Sequence, residues 1–266
     1  MKYSAIAFVL TTAFSSAQAA QYNVLIDGGS AIFLAGRTDI VIPPSNQPWG
    51  TTQNTGMIRH GGPTPEEELE SLPPSIPVTG GQTVKVLDPA SGGINYFNGL
   101  GPPYFGPDGN PGDSSLASFG GISGYLAATQ GALAGVFLSD AIPNGSPPST
   151  LNFTNTGLGT DFLTLSPDIG QVFYIGNGQT SASIFQTFIA PAGATRLFFG
   201  IPDGFGFVGL PGAYDDNDGS YSIRVGVDED PVVGETPIPG ALPLFISGLA
   251  GLGFLAHRRR RKATAH

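Results

Sequence analysis

The densest group of residues able to do chemistry is Pro211-Gly212-Ala213-Tyr214-Asp215-Asp216-Asn217-Asp218-Gly219-Ser220-Tyr221. Three carboxylates and an amide within four residues repel one another unless a positive charge sits among them, and calcium takes hard oxygen donors of this kind. The stretch is not an EF-hand. Placing Gly219 at loop position six puts Tyr214 at position one and Val225 at position twelve, where that loop needs acids. An Asx-rich turn leading into a last strand accounts for the same residues without a metal, and both readings stay open at this point. Other chemistry has little to work with. Outside the C-terminal tail the only histidine is His60, so a Ser/His/Asp triad or a multi-histidine zinc site has no material, and no GxxxxGK[ST] phosphate loop occurs. The expectation is a protein that is not an enzyme. A carboxylate pair of the glycosidase kind is the one catalytic device that so many acids leave available.

The elements that must carry this cluster read as strands. Forty glycines and 24 prolines in 266 residues argue against a helical protein, and short alternating segments argue for an all-β domain. Strands are expected at Asn23 to Ile26, Ser30 to Leu34, Thr83 to Leu87, Ala132 to Leu138, Phe162 to Leu165, Gln171 to Gly176, Ser183 to Ile189, Thr195 to Ile201 and Ser220 to Val227. The last shows the alternation of one buried and one wet face in Ser220-Tyr221-Ser222-Ile223-Arg224-Val225. Residues 43–77, with their prolines and the run Glu66-Glu67-Glu68, read as a long mobile loop. Asn95 to Asp113, rich in glycine, proline and aromatics, reads as a second irregular stretch of the length that often serves function.

The two ends read as addresses. Lys2, the apolar run Ala5 to Phe14 and Ala17-Gln18-Ala19 have the three parts of a secretory signal, residues 1–20, a better fit than an uncapped buried helix. At the other end a linker, 233–240, leads into an uncharged run from Ala241 to Ala256 and a basic block, Arg258 to Lys262, closing the segment 241–266. Sixteen helical residues span about 24 Å, just short of a hydrocarbon core of about 30 Å, and the cations sit where the positive-inside rule keeps them cytoplasmic. Thr236-Pro237-Ile238-Pro239-Gly240-Ala241-Leu242-Pro243-Leu244-Phe245, followed by the apolar segment and arginines, resembles the VPLPA variant of the PEP-CTERM sorting signal. That resemblance implies an exosortase as processing partner, a transient anchor in the inner membrane, and release to the periplasm, cell surface or exopolysaccharide matrix. The Pro-Glu-Pro of the commoner form is missing.

Between the two signals lie all 20 acidic residues and only five basic ones (Arg37, Arg59, Lys85, Arg196 and Arg224), a net of −15. Nucleic acid is excluded as a partner by the lack of a basic face. With no cysteine, neither disulfides nor thiolate metal sites are available, so residues 21–232 must be held by a packed core.

The acidic stretch and its flanks resemble the PA-IL-type family of calcium-dependent galactophilic bacterial lectins. The similarity runs in order through Gly131-Ala132-Leu133, Phe188-Ile189-Ala190-Pro191, Gly193-Ala194-Thr195-Arg196-Leu197-Phe198-Phe199-Gly200, Pro211-Gly212-Ala213-Tyr214 and Asp216-Asn217-Asp218-Gly219-Ser220-Tyr221-Ser222-Ile223. It implies a jelly-roll-like β-sandwich with one calcium at the sheet edge. Carried over by position, Asp216 and Asn217 are side-chain ligands, Ala213 gives a backbone carbonyl, Asp203 is the first carboxylate, and Tyr96 supplies a further backbone ligand. Two departures stand out. Gly204 to Leu210 lengthen the interval after Asp203, and the family's sugar-contacting histidine and glutamine have no match in Ser114 to Phe119. The expected function is calcium-dependent binding of a carbohydrate, galactose-containing in the family. The alternatives are a structural matrix protein that calcium merely stiffens and, third, a glycoside hydrolase.

Overall fold

The computed structural model describes residues 19–42, 70–97, 102 and 104–231. Residues 1–18 of the expected signal, the stretch 43–69, the linker 233–240 and the sorting tail lie outside the described residues, while Ala20, the last residue of the expected signal, opens the first strand. The chain divides into a unit Met1–Pro231 and a unit Val232–His266. Among the described residues no helix is long and apolar enough to cross a membrane.

The fold is mostly β, in three sheets, as expected for a sandwich-like all-β domain. In the first, β1 (Ala20–Asp27) lies beside β13 (Asp218–Val227), followed by β3 (Thr83–Asn95), β10 (Thr187–Ile189) and β8 (Thr164–Leu165). The second runs β2 (Ser75–Pro77), β11 (Arg196–Gly200), β6 (Ala134–Leu138), β9 (Val172–Tyr174). The third runs β12 (Val208–Gly209), β4 (Asn110–Leu116), β5 (Tyr125–Gln130), β7 (Asn152–Phe153).

Strand β13 is the axis of the first sheet. Tyr221, Ile223 and Val225 are buried while Ser222 is exposed, the expected alternation. It pairs antiparallel with β1 from Ala20↔Val227 to Asp27↔Ser220, and with β3 on its other edge. The register with β3 shifts beside Pro89, which has no N–H to give to a ladder, so the pairing resumes past a bulge.

Aromatic side chains tie the sheets together. Phe188 of β10 packs on Phe173 of β9 (5.1 Å between ring centroids), and Phe173 stacks on Phe137 of β6 at 5.2 Å. Phe153 of β7 contacts Tyr125 of β5 and Tyr174 of β9, joining the third sheet to the second. Such pairs are worth about 0.5–1.5 kcal/mol each beyond their buried area, and they do here what disulfides cannot.

Several expectations change. Of the strands expected at Phe162 to Leu165 and Ser183 to Ile189 only Thr164–Leu165 and Thr187–Ile189 form, the left-handed Ser183 keeping the chain in a turn before β10. Ser30 to Leu34 is not a strand: Ser30 and Ala31 make isolated bridges to Ser71 and Ile201, and Ile32–Leu34 is one 3-10 turn. Ile32, Phe33 and Leu34 are all fully buried, which a tight turn inside the core achieves and an alternating strand with one wet face does not. The expected loop 43–77 stops short of its end, because Glu70 is buried, Ser71 N–H donates to Gly29 O (2.7 Å), and Ser75–Pro77 form β2 against β11. Likewise the irregular stretch Asn95 to Asp113 ends in β4. Its Asn-Pro-Gly-Asp start has poor strand propensity, compensated by the Asn110 amide donating to Gln130 Oε1 (3.2 Å) and Ser114 Oγ donating to Thr129 O (2.8 Å).

Candidate functional site

Where β3 ends, where β11 runs out and where the acidic stretch turns into β13, the chain leaves a cavity of about 400 Å³. Tyr96, Asp203, Ala213 and Asp216 line it, four of the five residues singled out from the sequence although 120 positions separate the first from the last. Asn217, the fifth, does not line the cavity and sits behind it, 1% exposed.

The turn Tyr214–Asp216 explains how the acids are distributed. It is a single 3-10 turn, so successive side chains leave it about 120° apart. Asp216 faces the cavity, Asp215 is buried outside its lining, and Asp218 is already in β13 opposite Asn95. The repulsion expected from the sequence is therefore relieved in part by divergence. Tyr214 fixes the turn: its hydroxyl donates to Ile201 O (2.7 Å) and accepts from the Asp203 N–H (3.2 Å).

Asp203 is only 2% exposed. Burial pushes its carboxyl well above the usual carboxylate range, and the neighbouring charges of Asp216 and Asp215 push the same way. The Asn217 side chain and the Gly204 N–H, 2.6 Å from Oδ1, offset part of this. Asn217 Nδ2 also donates to Gly28 O (3.1 Å), while its Oδ1 is buried with no hydrogen-bond partner. A buried amide oxygen left this way costs about 1–3 kcal/mol. Gly28 permits the arrangement, since a Cβ there would lie 2.9 Å from Asn217 O and 3.1 Å from its Cβ.

Backbone strain concentrates here too. Of four described non-glycine residues with positive φ, Phe207 (57°) and Ala213 (60°) both line this cavity. Each such conformation costs on the order of 1–3 kcal/mol and persists only where the surroundings impose it.

Tyr96 is anchored from below. Its hydroxyl donates to Gly131 O (2.5 Å) and contacts the Tyr221 hydroxyl, which also lies 3.0 Å from Gly106 O. Gly131, at φ 64°, is required: a Cβ there would sit 2.2 Å from Tyr96 Cζ. Phe105 bridges back to Ile94 and stacks on Tyr96 at 6.0 Å, so the described part of the 95–113 stretch is bound to the end of β3.

As a cation site the donor set is coherent. Among the described residues no three His, Cys, Asp or Glu side chains gather closely enough to hold a metal, and this cavity offers two carboxylates, Asp203 and Asp216. Ala213 and Tyr96 line it as well, and Asn217, outside the lining, bonds to Asp203 through its side chain. Calcium accepts such hard donors, and the orphaned Asn217 oxygen is the atom that a cation would satisfy. The sequence reading missed Phe97, Gln130, Phe205 and Phe207, which also line the cavity. The signal for two of them was the Phe205-Gly206-Phe207 triplet inside the segment Gly204 to Leu210, read only as extra length.

A second, smaller pocket of about 240 Å³ holds Asp108 and Asp161. Asp108 Oδ1 accepts from Tyr174 Oη (3.0 Å) and Asn177 N–H (2.8 Å). Asp161 accepts from the Ser181 N–H (2.7 Å) and Oγ (2.6 Å), and these bonds hold its carboxyl below the usual range. Searched against protein-family models, curated proteins and solved structures, the chain matches none.

Proposed function

We propose that the chain is an exported, calcium-dependent carbohydrate-binding protein of the cell surface or exopolysaccharide matrix, built on a jelly-roll-like sandwich. Its leader and PEP-CTERM-like tail supply the address, with an exosortase as sorting partner and a transient hold in the inner membrane. One observation carries the binding reading. The buried Asn217 Oδ1 lacks a partner, and the same side chain bonds to Asp203, which lines a cavity together with Asp216, Ala213 and Tyr96.

In this reading Asp203, Asp216 and Asn217 hold the ion through side chains, and Ala213 and Tyr96 through main-chain oxygens. Calcium supplies open coordination positions for two neighbouring hydroxyls of a neutral sugar. The protein's own part is to keep the carboxylates inside a walled cavity, where their charge is poorly screened, and to hold the Ala213 carbonyl in place through a left-handed backbone. A neutral glycan suits the net charge of −15 between the two terminal signals, which disfavours anionic polymers.

Calorimetric titration of calcium into the chelator-treated protein, beside the Asp216→Ala, Asn217→Ala double variant, tests this directly. Saturable binding lost in the variant is expected. No binding by the unaltered protein sinks the reading. Binding of calcium with no glycan retained on an array would leave a calcium-stiffened matrix protein.

A further inference from the structure

The rim of the Asp203 cavity is aromatic. Phe97 and Phe205 line it from separate segments, one at the end of β3 and one in the turn Phe205–Phe207, and they are 53% and 56% exposed. Single exposed apolar residues need no explanation, but two phenylalanines converging on one cavity forgo burial worth about 25 cal/mol per Å² at a shared place.

The Phe97 ring and the backbone that carries Phe205 are both held. The Phe97 N–H donates to Asn95 Oδ1 (2.9 Å), and its ring stands edge-on against Phe105 (6.1 Å, 84°) and Tyr96 (6.4 Å, 89°). Phe205 opens a turn closed by Phe207 N–H donating to Gly204 O (2.6 Å) and locked by the left-handed Phe207. Phe207 in turn packs edge-on against Tyr96 at 5.8 Å. Rings fixed this way lose little entropy when something lies against them.

The cavity is thus two-faced, with carboxylates in its lining, the neutral amide of Gln130 beside them and two aromatic rings at the rim. Gln130 is oriented by Asn110 (3.2 Å) and by its own bond to Asp113 O (3.3 Å). The complementary ligand has a polar edge of hydroxyls and one face of C–H bonds. A pyranoside fits that description, because its C–H protons carry partial positive charge and lie well on the negative face of a ring. An anionic sugar is opposed by the carboxylates, and a wholly apolar ligand would leave them desolvated without compensation.

We propose that Phe97 and Phe205 are the specificity-determining contacts of this site, stacking on the C–H face of a neutral pyranoside whose hydroxyl edge points to Asp203 and Asp216. The inference rests on the glycan reading above. It would give this chain, which lacks the histidine and glutamine expected to touch sugar, its own means of selecting a ring.

The test uses the full chain with saturating calcium and the methyl glycosides of galactose, fucose, mannose and glucose, observed by saturation-transfer NMR and titration. Irradiating the aromatic protons should transfer saturation mainly to the C–H protons of one sugar face. Phe97→Ala and Phe205→Ala should each weaken the best glycoside about three- to tenfold, with calcium affinity unchanged as proof of an intact fold. Phe205→Tyr should restore binding. Equal glycoside affinity in both alanine variants overturns the aromatic role and leaves the glycan reading standing. Calcium binding without any glycoside bound overturns both. Tetramethylammonium bound more tightly than every glycoside would make the rim a cation cage and also overturn the proposal.

Discussion

Two pockets in this domain contain pairs of carboxylates, and they differ in how deeply those carboxylates are buried. Asp108 and Asp161 together receive a phenol, two main-chain N–H groups and a serine hydroxyl, so their pocket is finished without a guest. Asp203 is buried deeper, is pushed toward its protonated form by that burial and by neighbouring acids, and borders an amide oxygen with no donor. Counting acids in the sequence does not separate the two. What separates them is burial and company: β9 and the loop after it serve an exposed first pair, whereas Asp203, although it accepts from the Gly204 N–H and the Asn217 side chain, is desolvated and faces the charges of Asp216 and Asp215.

The comparison breaks most sharply if a cation does not tell the two pockets apart. Asp203→Asn keeps the side chain's shape and removes its charge, and should abolish stabilisation by calcium. At a hundredfold excess over Kd the unaltered protein should gain about 2.7 kcal/mol in denaturant unfolding and the variant essentially none. An undiminished gain in the variant would mean that the metal sits elsewhere. A smaller effect is expected at the support beneath the cavity. Gly131→Ala places a methyl on Tyr96 at a left-handed position and should cost roughly 1–3 kcal/mol without metal, together with weaker calcium binding. Unfolding midpoints equal to those of the unaltered protein would remove Tyr96 from the architecture of the site.

Much of this was legible before any coordinates, and unevenly so. Alternation revealed β13, where Tyr221, Ile223 and Val225 keep period two. It failed at Ile32-Phe33-Leu34, where all three residues are interior, and at β4, whose Asn-Pro-Gly opening looks like a turn and is held by Asn110 donating to the Gln130 side chain and Ser114 Oγ donating to Thr129 O. For the site, the residues near the acidic stretch could be named because resemblance and spacing act locally. Phe97, Gln130 and Phe205 could not, because what places them is the way three separate segments meet at one cavity. The orphaned Asn217 oxygen is likewise a property of packing, invisible to composition.

Acidity sharpens the same contrast. The Asp203 carboxyl has a value near 3.8 when unfolded and a raised one when folded. Its contribution to metal-free stability is therefore fully present below about pH 3.8 and is lost as pH rises through the folded value. Asp161 and Asp39 have lowered values, the latter through its Arg37 partner, and work the other way: their contribution is present above about 3.8 and fades as pH falls. Subtracting the pH profile of Asp203→Asn from that of the unaltered protein isolates the first group. The difference should decline with rising pH in chelator and reverse its slope in saturating calcium, since a bound cation favours the ionised carboxylate. A flat difference in both conditions would show that Asp203 is not desolvated in solution.

The smallest effect expected is a null result with content. Asp161→Asn removes a charge that lies in the finished pocket and is already served by Ser181, so the calcium isotherm should be superimposable on that of the unaltered protein. If instead Asp161→Asn weakened calcium binding as Asp203→Asn is expected to, depth of burial would not be what distinguishes the pockets. Long-range charge alone would then govern the affinity, and raising ionic strength should erase both effects together.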